Sequence, residues 1–541
     1  MTVLLQAIVA SGAGWLLWKI FRTLTKTSPL ANIPGPAPDS FIVGHLPRFF
    51  DRHAWGMHRE MWDKFPGIAR IDAFFRAPML YVWDPKALHY IVVKEQYVYE
   101  ETINFTHFCS LVFGEGLLSS LGNKHKQQRK ILNPVFHTNH MRTMTPTFYG
   151  VTRQLRNALE SEVKGGKQEI DLLNWMTRTA LELVGQGALG YSFDPLDRER
   201  TNIVAEHVKS LIPTFVPMFM VFHILPFVQN FGTASFRRRV LELIPWKRLK
   251  KALEITDTLE HTSKTILSQK KELLAQGDVA MQHQVGEGKD LMSVLLKANM
   301  RAIGEDKMPD DELLGNMSSL IFAAMETTSG ALARILQMLS QHQDVQEKLR
   351  QEIIAARGDK EEIGYDELMS LPYLEAVCKE TLRLHAPATN MIRTAMKDTV
   401  LPLGTPIRGK DGKIISEVTI PKGTGVVIGI LACNVNPAIW GPDAHEWKPE
   451  RFMNPLPDTV AEARIPGVYS NLMSFLGGGR ACIGFKFSQL EMKIVISVLL
   501  EKFRFSPSDK EVYWNFAGVQ YPTLGKTSWE SGMPLRVELI R

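Results

Sequence analysis

Near the C-terminus the chain carries Phe475-Leu-Gly-Gly-Gly-Arg-Ala-Cys-Ile-Gly484, and an apolar run from Phe485 to Leu500 follows at once. Glycine lets backbone N–H groups come close to a sulfur, and hydrogen bonds to a metal-bound sulfur tune the metal. The run reads as a helix, and the positive end of its dipole favours a negative sulfur at Cys482. The loop therefore suits a metal–thiolate centre, with a buried cysteine in a glycine-rich turn as the plain alternative. The GK[ST] ending of a phosphate loop is missing. The other cysteines, Cys109, Cys378 and Cys433, are scattered and form no CxxC pair, which suits a reducing compartment.

Phe475, Gly478, Arg480, Cys482 and Gly484 match F-x-x-G-x-R-x-C-x-G, and in this the chain resembles the cytochromes P-450. Other segments follow in that family's order. Glu380-Thr-Leu-Arg383 resembles its E-x-x-R pair, and Pro449-Glu450-Arg451-Phe452 its downstream P-E-R-F segment. Taken alone, an i,i+3 Glu–Arg pair is a solvated ion pair of small weight. The resemblance gives Glu380, Arg383 and Arg451 a bracing role behind the cysteine loop. Ala323-Ala-Met-Glu-Thr-Thr328 resembles the A-G-x-[D/E]-T-[T/S] segment of the long central helix. The resemblance makes Glu326 and Thr327 the catalytic acid–alcohol pair that relays protons to the oxygen-binding face. Ala324 stands where the family usually has glycine, so an extra methyl narrows that groove.

An early W-x-x-x-R of the family is replaced here by His125-Lys-Gln-Gln-Arg129. Histidine still donates a hydrogen bond to a carboxylate. With Arg393, just past His385-Ala-Pro387, and Arg480, these residues form a cationic set suited to two haem propionates. The cofactor implied is haem b (iron protoporphyrin IX) with Cys482 as the axial thiolate, whose electron donation favours O–O cleavage.

The N-terminus is apolar from Val3 to Trp18, followed by Lys19, Arg22 and Lys26. A span needs about 20 residues, so this is a short one unless Lys19 snorkels. The charge follows the apolar run and no good cleavage site does, which favours a signal anchor over a cleaved leader. The positive flank keeps the remainder cytosolic. Residues 1–28 are read as the anchor, with a span at about 3–21, and residues 29–541 as the haem-thiolate monooxygenase domain. Ile33-Pro-Gly-Pro-Ala-Pro38 is a stiff spacer. Leu211 to Val228 also lacks formal charge, but Pro213, Pro217, Pro226 and His223 interrupt it, and it reads as a buried or interface-dipping segment.

The rest reads as mainly α with minor β: one large helical fold of the cytochrome P-450 type. Helices are expected over Asp171–Leu189 and Asp310–Leu339, and strands near 68–83 and between Val400 and Pro421. A net charge of +6 is an ordinary surface or a mildly basic face for an acidic redox partner or anionic lipid. No nucleic-acid motif is present. Nor is there a dinucleotide fingerprint or a ferredoxin-type cysteine cluster, and the residues after Gly484 are too few for a flavin domain. The resemblance implies electrons from a separate NADPH-dependent flavin reductase, with NADPH used only through it, and an endoplasmic reticulum membrane with the catalytic domain in the cytosol. Apolar stretches at Phe105–Phe113, Phe215–Ile224, Phe322, Ala386–Ile392 and Phe516–Leu524 resemble the family's substrate walls or are simply core, and they point to a lipophilic substrate. The layout and His125 resemble fungal microsomal members, many of which oxidise terpenoids or other secondary metabolites. Haem-based isomerisation or dehydration, and a non-enzymatic haem or lipid binder, are the competing readings.

Overall fold

The computed structural model describes Gly14, Trp15 and Trp18, and residues 28–540 apart from 195, 198–201, 219–220, 222–227, 229–230, 277–284, 286–287 and 305–306. The expected anchor lies almost wholly outside the described residues, as does much of 211–228. Among the described residues no helix is long and apolar enough to cross a membrane. Leu211–Phe215 is a short helix with Leu211, Thr214 and Phe215 buried.

The elements that carry the site are, in chain order, β1 (Ile68–Asp72), β2 (Pro78–Val82), β3 (Tyr99–Glu101), α1 (Gly122–Leu132), α2 (Thr138–Lys164), α3 (Leu172–Leu183), α4 (Asp310–Gln341), α5 (Pro372–Leu384), β4 (Met391–Ala395), β5 (Gly425–Ile428) and α6 (Phe485–Lys502). The molecule is mainly helical with minor sheet, as the sequence indicates. The strands form one sheet in the order β1-β2-β5-β4-β3. Only the β2–β5 pairing is parallel, and β3 lies antiparallel to β4 with Glu101 opposite Arg393. The strands expected between Val400 and Pro421 are Thr399–Arg408 and Ile414–Ile420, and they pair as an antiparallel hairpin.

Local chemistry explains the helix starts. Pro309 precedes α4, and Asp310, Asp311 and Glu312 in its first turn complement the helix dipole. Pro372 opens α5, and the Glu352 carboxylate, on the helix Gln343–Arg357, accepts the N–H groups of Tyr373 and Leu374 at 2.7 and 2.8 Å. Asp171 caps α3 by accepting from the Leu173 N–H. That helix is wider in its burial than the expected single apolar face: every residue from Leu172 to Leu183 except Asn174 is buried. Its two charged residues are matched inside the protein. Arg178 donates to both Asp194 oxygens at 2.7 and 2.9 Å, and Glu182 accepts the N–H groups of Phe193 and Asp194 at 2.7 Å each. The helical path then widens into a π turn over Val184–Leu189. α4 packs on α3 and α6, and α6 packs on α2. Cys482 thus sits at the head of a helix that is buried along most of its length.

Candidate active site

The cysteine loop is held by backbone geometry. The Cys482 N–H donates to Phe475 C=O at 2.9 Å, and the Ala481 N–H to Gly478 C=O at 3.1 Å. Gly478 has φ +68°, and a Cβ there would lie 1.7 Å from the Val92 carbonyl oxygen. Only glycine fits. The Gly479 N–H is fixed by the Gln96 side-chain oxygen at 2.5 Å. Phe475 closes the loop against Phe485, with ring centroids 4.8 Å apart.

Cys109, Cys378 and Cys433 are buried, whereas Cys482 is exposed. Burial pushes the Cys109 and Cys433 thiols well up and Cys378 to about 12, which makes them inert. Desolvation also raises the Cys482 thiol, while the Gly484 N–H and Arg129 pull the other way. The side chain is thus accessible at its surface, yet enough protein surrounds it for desolvation to dominate its pKa. In the apoprotein, desolvation outweighs the helix dipole that the sequence suggested would favour thiolate.

Four cationic or proton-donating side chains converge here: His125 and Arg129 from α1, Arg393 from β4, and Arg480 from the loop itself. Arg129 of α1 donates from Nη1 to Ala481 C=O at 2.6 Å and from Nε to Asn133 at 2.8 Å. Arg480 donates from Nη2 to Glu100 at 2.7 Å and to Ser120 C=O at 3.0 Å. Arg393 of β4 donates from Nη1 to Glu101 at 2.6 Å and to Ile392 C=O at 3.0 Å. The Nη2 of Arg129, Nε and Nη2 of Arg393, and Nε and Nη1 of Arg480 therefore keep no protein partner among the described residues, yet none is a closed-off polar atom. His125, one turn before Arg129, is held neutral, its pKa lowered to about 3 by desolvation and then by Arg480, Arg129 and Arg393. An open thiol beside uncommitted guanidinium donors fits a group carrying both a metal and carboxylates.

On the other side of the loop stands the brace. Arg383 pairs with both oxygens of Glu380 at 2.7 and 2.8 Å, and neither side chain has any exposure (0%). Arg451 reaches Glu380 at 3.3 Å and Asp443 at 2.9 Å. The remaining Arg383 donors go to Ala444, Asn434 and Glu446 carbonyls. Asn434 in turn accepts the Met473 N–H at 2.7 Å, and Ser474 donates to Leu382 C=O at 2.8 Å, which ties α5 to the start of the cysteine loop. Asn434, Asp443, Ser474, Gln96, Glu100 and Glu101 carry no motif that the sequence reading used.

On α4, Glu326 is buried and its pKa is raised to about 8 by desolvation, with Lys209 opposing. Thr327 is partly open, and its hydroxyl donates to Ala323 C=O at 2.7 Å. Among the described residues no hydrogen bond joins the two. Ala323, Ala324 and Thr327 are half-buried in a helix otherwise mostly enclosed, so this stripe borders open space. Phe322 on the preceding turn stacks on Phe113 at 5.0 Å, and Phe108 meets Phe215 at 5.1 Å. Phe516 packs against His58 and Trp55 and belongs to the core. Asn316, a formal glycosylation sequon, is buried and accepts the Leu117 N–H.

An accessible cysteine sulfur in a glycine-built loop, flanked by spare arginine donors and braced from behind, defines a haem-thiolate protein. The family model described as cytochrome P-450 matches residues 34–519. Cytochrome P-450 monooxygenase 91 of Postia placenta is 53% identical over 538 residues, 99% of either chain. Cytochrome P-450 monooxygenase 81 of the same fungus is 48% identical, covering 98% of this chain and 97% of its own. A ganoderic acid synthetase of Ganoderma lucidum is 46% identical, covering 99% of each. The chain belongs to the cytochrome P-450 family and is a haem-dependent monooxygenase supplied with electrons by a reductase.

Proposed function

We propose that the chain oxidises a lipophilic small molecule, a terpenoid or other secondary metabolite, with electrons from an NADPH-dependent flavin reductase. The reading also places it on the cytosolic face of the endoplasmic reticulum, tethered by residues 3–21. The observation that carries the chemistry is the open, desolvated Cys482 thiol beside the cationic set. The similarity to a protein named ganoderic acid synthetase supports the secondary-metabolite reading.

In this reading Cys482 holds the iron, and Arg129, Arg393, Arg480 and His125 hold the propionates. The haem, when bound, supplies dioxygen activation and substrate oxidation. The protein's share is placement and protons. The Phe108, Phe113, Phe215 and Phe322 cluster gives substrate an apolar wall, and closing such a wall excludes water. Glu326 carries a proton up to about pH 8 and so is a competent acid at neutral pH. The Thr327 hydroxyl can release its bond to Ala323 and pass that proton to the open groove.

Glu326→Gln keeps shape and neutrality and removes the transferable proton. Its kcat is expected to fall about 10²- to 10⁴-fold with haem content unchanged. The wild type loses activity as pH rises through about 8, because the acid form disappears, and the variant lacks that limb. Stopped-turnover assays across pH check both, and an unchanged kcat rejects the role. Deleting Met1–Lys26 is expected to move the protein from the microsomal to the soluble fraction on centrifugation, unless the segment at 211–228 supplies a second attachment. Comparing metabolites of cells with and without the enzyme, followed by NADPH-dependent oxygen uptake with the product's precursor, tests the function itself. Product formation without NADPH use would point to isomerisation or dehydration instead.

A further inference from the structure

Glu100 and Glu101 are adjacent on β3, and each is 6% exposed. Successive residues of a strand point to opposite sides, and the two carboxylates reach different arginines. Glu101 faces Arg393 across the antiparallel pair and meets its Nη1 at 2.6 Å. Glu100 meets Arg480 Nη2 at 2.7 Å and also accepts the Gly122 N–H at 3.1 Å, at the start of the helix that carries His125 and Arg129. Two of the three arginines read as propionate ligands are thus already engaged by protein acids, each through one nitrogen.

The charges do not balance once the cofactor is added. Arg129, Arg393 and Arg480 contribute three positive charges, and Glu100 and Glu101 two negative ones. His125 is neutral in the field of the arginines. The site carries +1 before loading and −1 after two propionates enter. Burial raises Glu101 while Arg393 and Arg480 pull it down and Glu100 pushes it up, so its charge is already held against desolvation. Buried like charges that share one cation repel.

We propose that Glu100 and Glu101 are positioning residues that hold Arg480 and Arg393 in place for the haem edge, and that their negative charges compete with the propionates and set how firmly haem is retained. This rests on the propionate reading of the arginines. The site is arranged for a cofactor that enters a preformed frame, at some loss of final affinity. A purely structural glutamate would make every substitution harmful. A competing charge makes the isosteric neutral substitution beneficial.

The experiment uses purified holoenzyme and follows haem transfer to excess apomyoglobin at neutral pH. Glu101→Gln keeps an oxygen for Arg393 but no charge, and haem loss is expected to slow about three- to tenfold, since each pKa unit of charge interaction is a factor of about ten. Glu100→Gln acts through Arg480 and is expected to shift in the same direction, so the test does not depend on one variant folding. Glu101→Ala also releases Arg393 and is expected to lose haem faster than Glu101→Gln. Unchanged or faster loss in both glutamine variants overturns the inference. Arg393→Gln separates the two levels, because it must lose haem faster than wild type. If it does and the glutamate variants show no slowing, the inference falls and the propionate reading stands. If Arg393→Gln is indistinguishable from wild type, the propionate reading falls and takes the inference with it.

Discussion

Cys482→Ala is expected to yield a folded protein without the red-shifted carbonyl Soret band of a reduced haem-thiolate and with turnover at background. The loop's shape does not depend on the sulfur. It rests on the Cys482 N–H to Phe475, the Ala481 N–H to Gly478, and the fit of Gly478 against Val92. The side chain is open, so its truncation leaves no packed cavity, and the apoprotein's stability should stay within about 0.5 kcal/mol of wild type. The electronic effect is total, because alanine offers no ligand and the iron loses the donor that favours O–O cleavage. No other cysteine can substitute, since Cys109, Cys378 and Cys433 are buried with raised pKa values. Reduced-carbonyl spectra and thermal unfolding of the apo forms check both halves. A retained thiolate band would remove Cys482 as the ligand.

What the sequence made legible was mostly local. Pro309 and the acidic turn Asp310–Glu312 mark where α4 starts, and Gly478 marks a point where any side chain would collide with the Val92 carbonyl. Order of motifs then carried the family. Long-range satisfaction of buried charge was not legible. Arg178 and Glu182 lie on the side of α3 away from the apolar face that the spacing marks, yet both are buried, and only Asp194 and two backbone amides explain them. Nothing in their local sequence marks Glu100 and Glu101, yet Arg480 and Arg393, hundreds of residues away, hold both inside. Asn434 and Ser474 hold the brace to the loop through partners no spacing reveals. The same limit governs Glu380 and Arg383, whose i,i+3 spacing fixes their pairing but not their depth.

That depth decides the second large effect. An exposed i,i+3 pair is worth about 0.2–0.5 kcal/mol, so a surface Glu380→Ala would pass unnoticed. Here Glu380 and Arg383 are both 0% exposed, and Glu380 also accepts from Arg451 and from the Lys448 N–H at 3.0 Å. Removing it strands Arg383 without an acid, and such a loss costs about 3–5 kcal/mol against a total stability of about 5–15 kcal/mol. Arg451 keeps Asp443 and is less affected. The damage reaches the cysteine loop, because Arg383 also binds the Asn434 carbonyl and Asn434 in turn fixes Met473 and Ser474. Glu380→Ala is therefore expected to accumulate as haem-poor protein with a sharply lowered Tm, while Glu380→Gln, which keeps one acceptor, loses less. The ratio of haem to protein after purification and the Tm of each variant are the measurements. A Glu380→Ala protein with full haem content and a stability within 1 kcal/mol of wild type would mean that the brace is not what holds the loop, and the burial argument would fail with it.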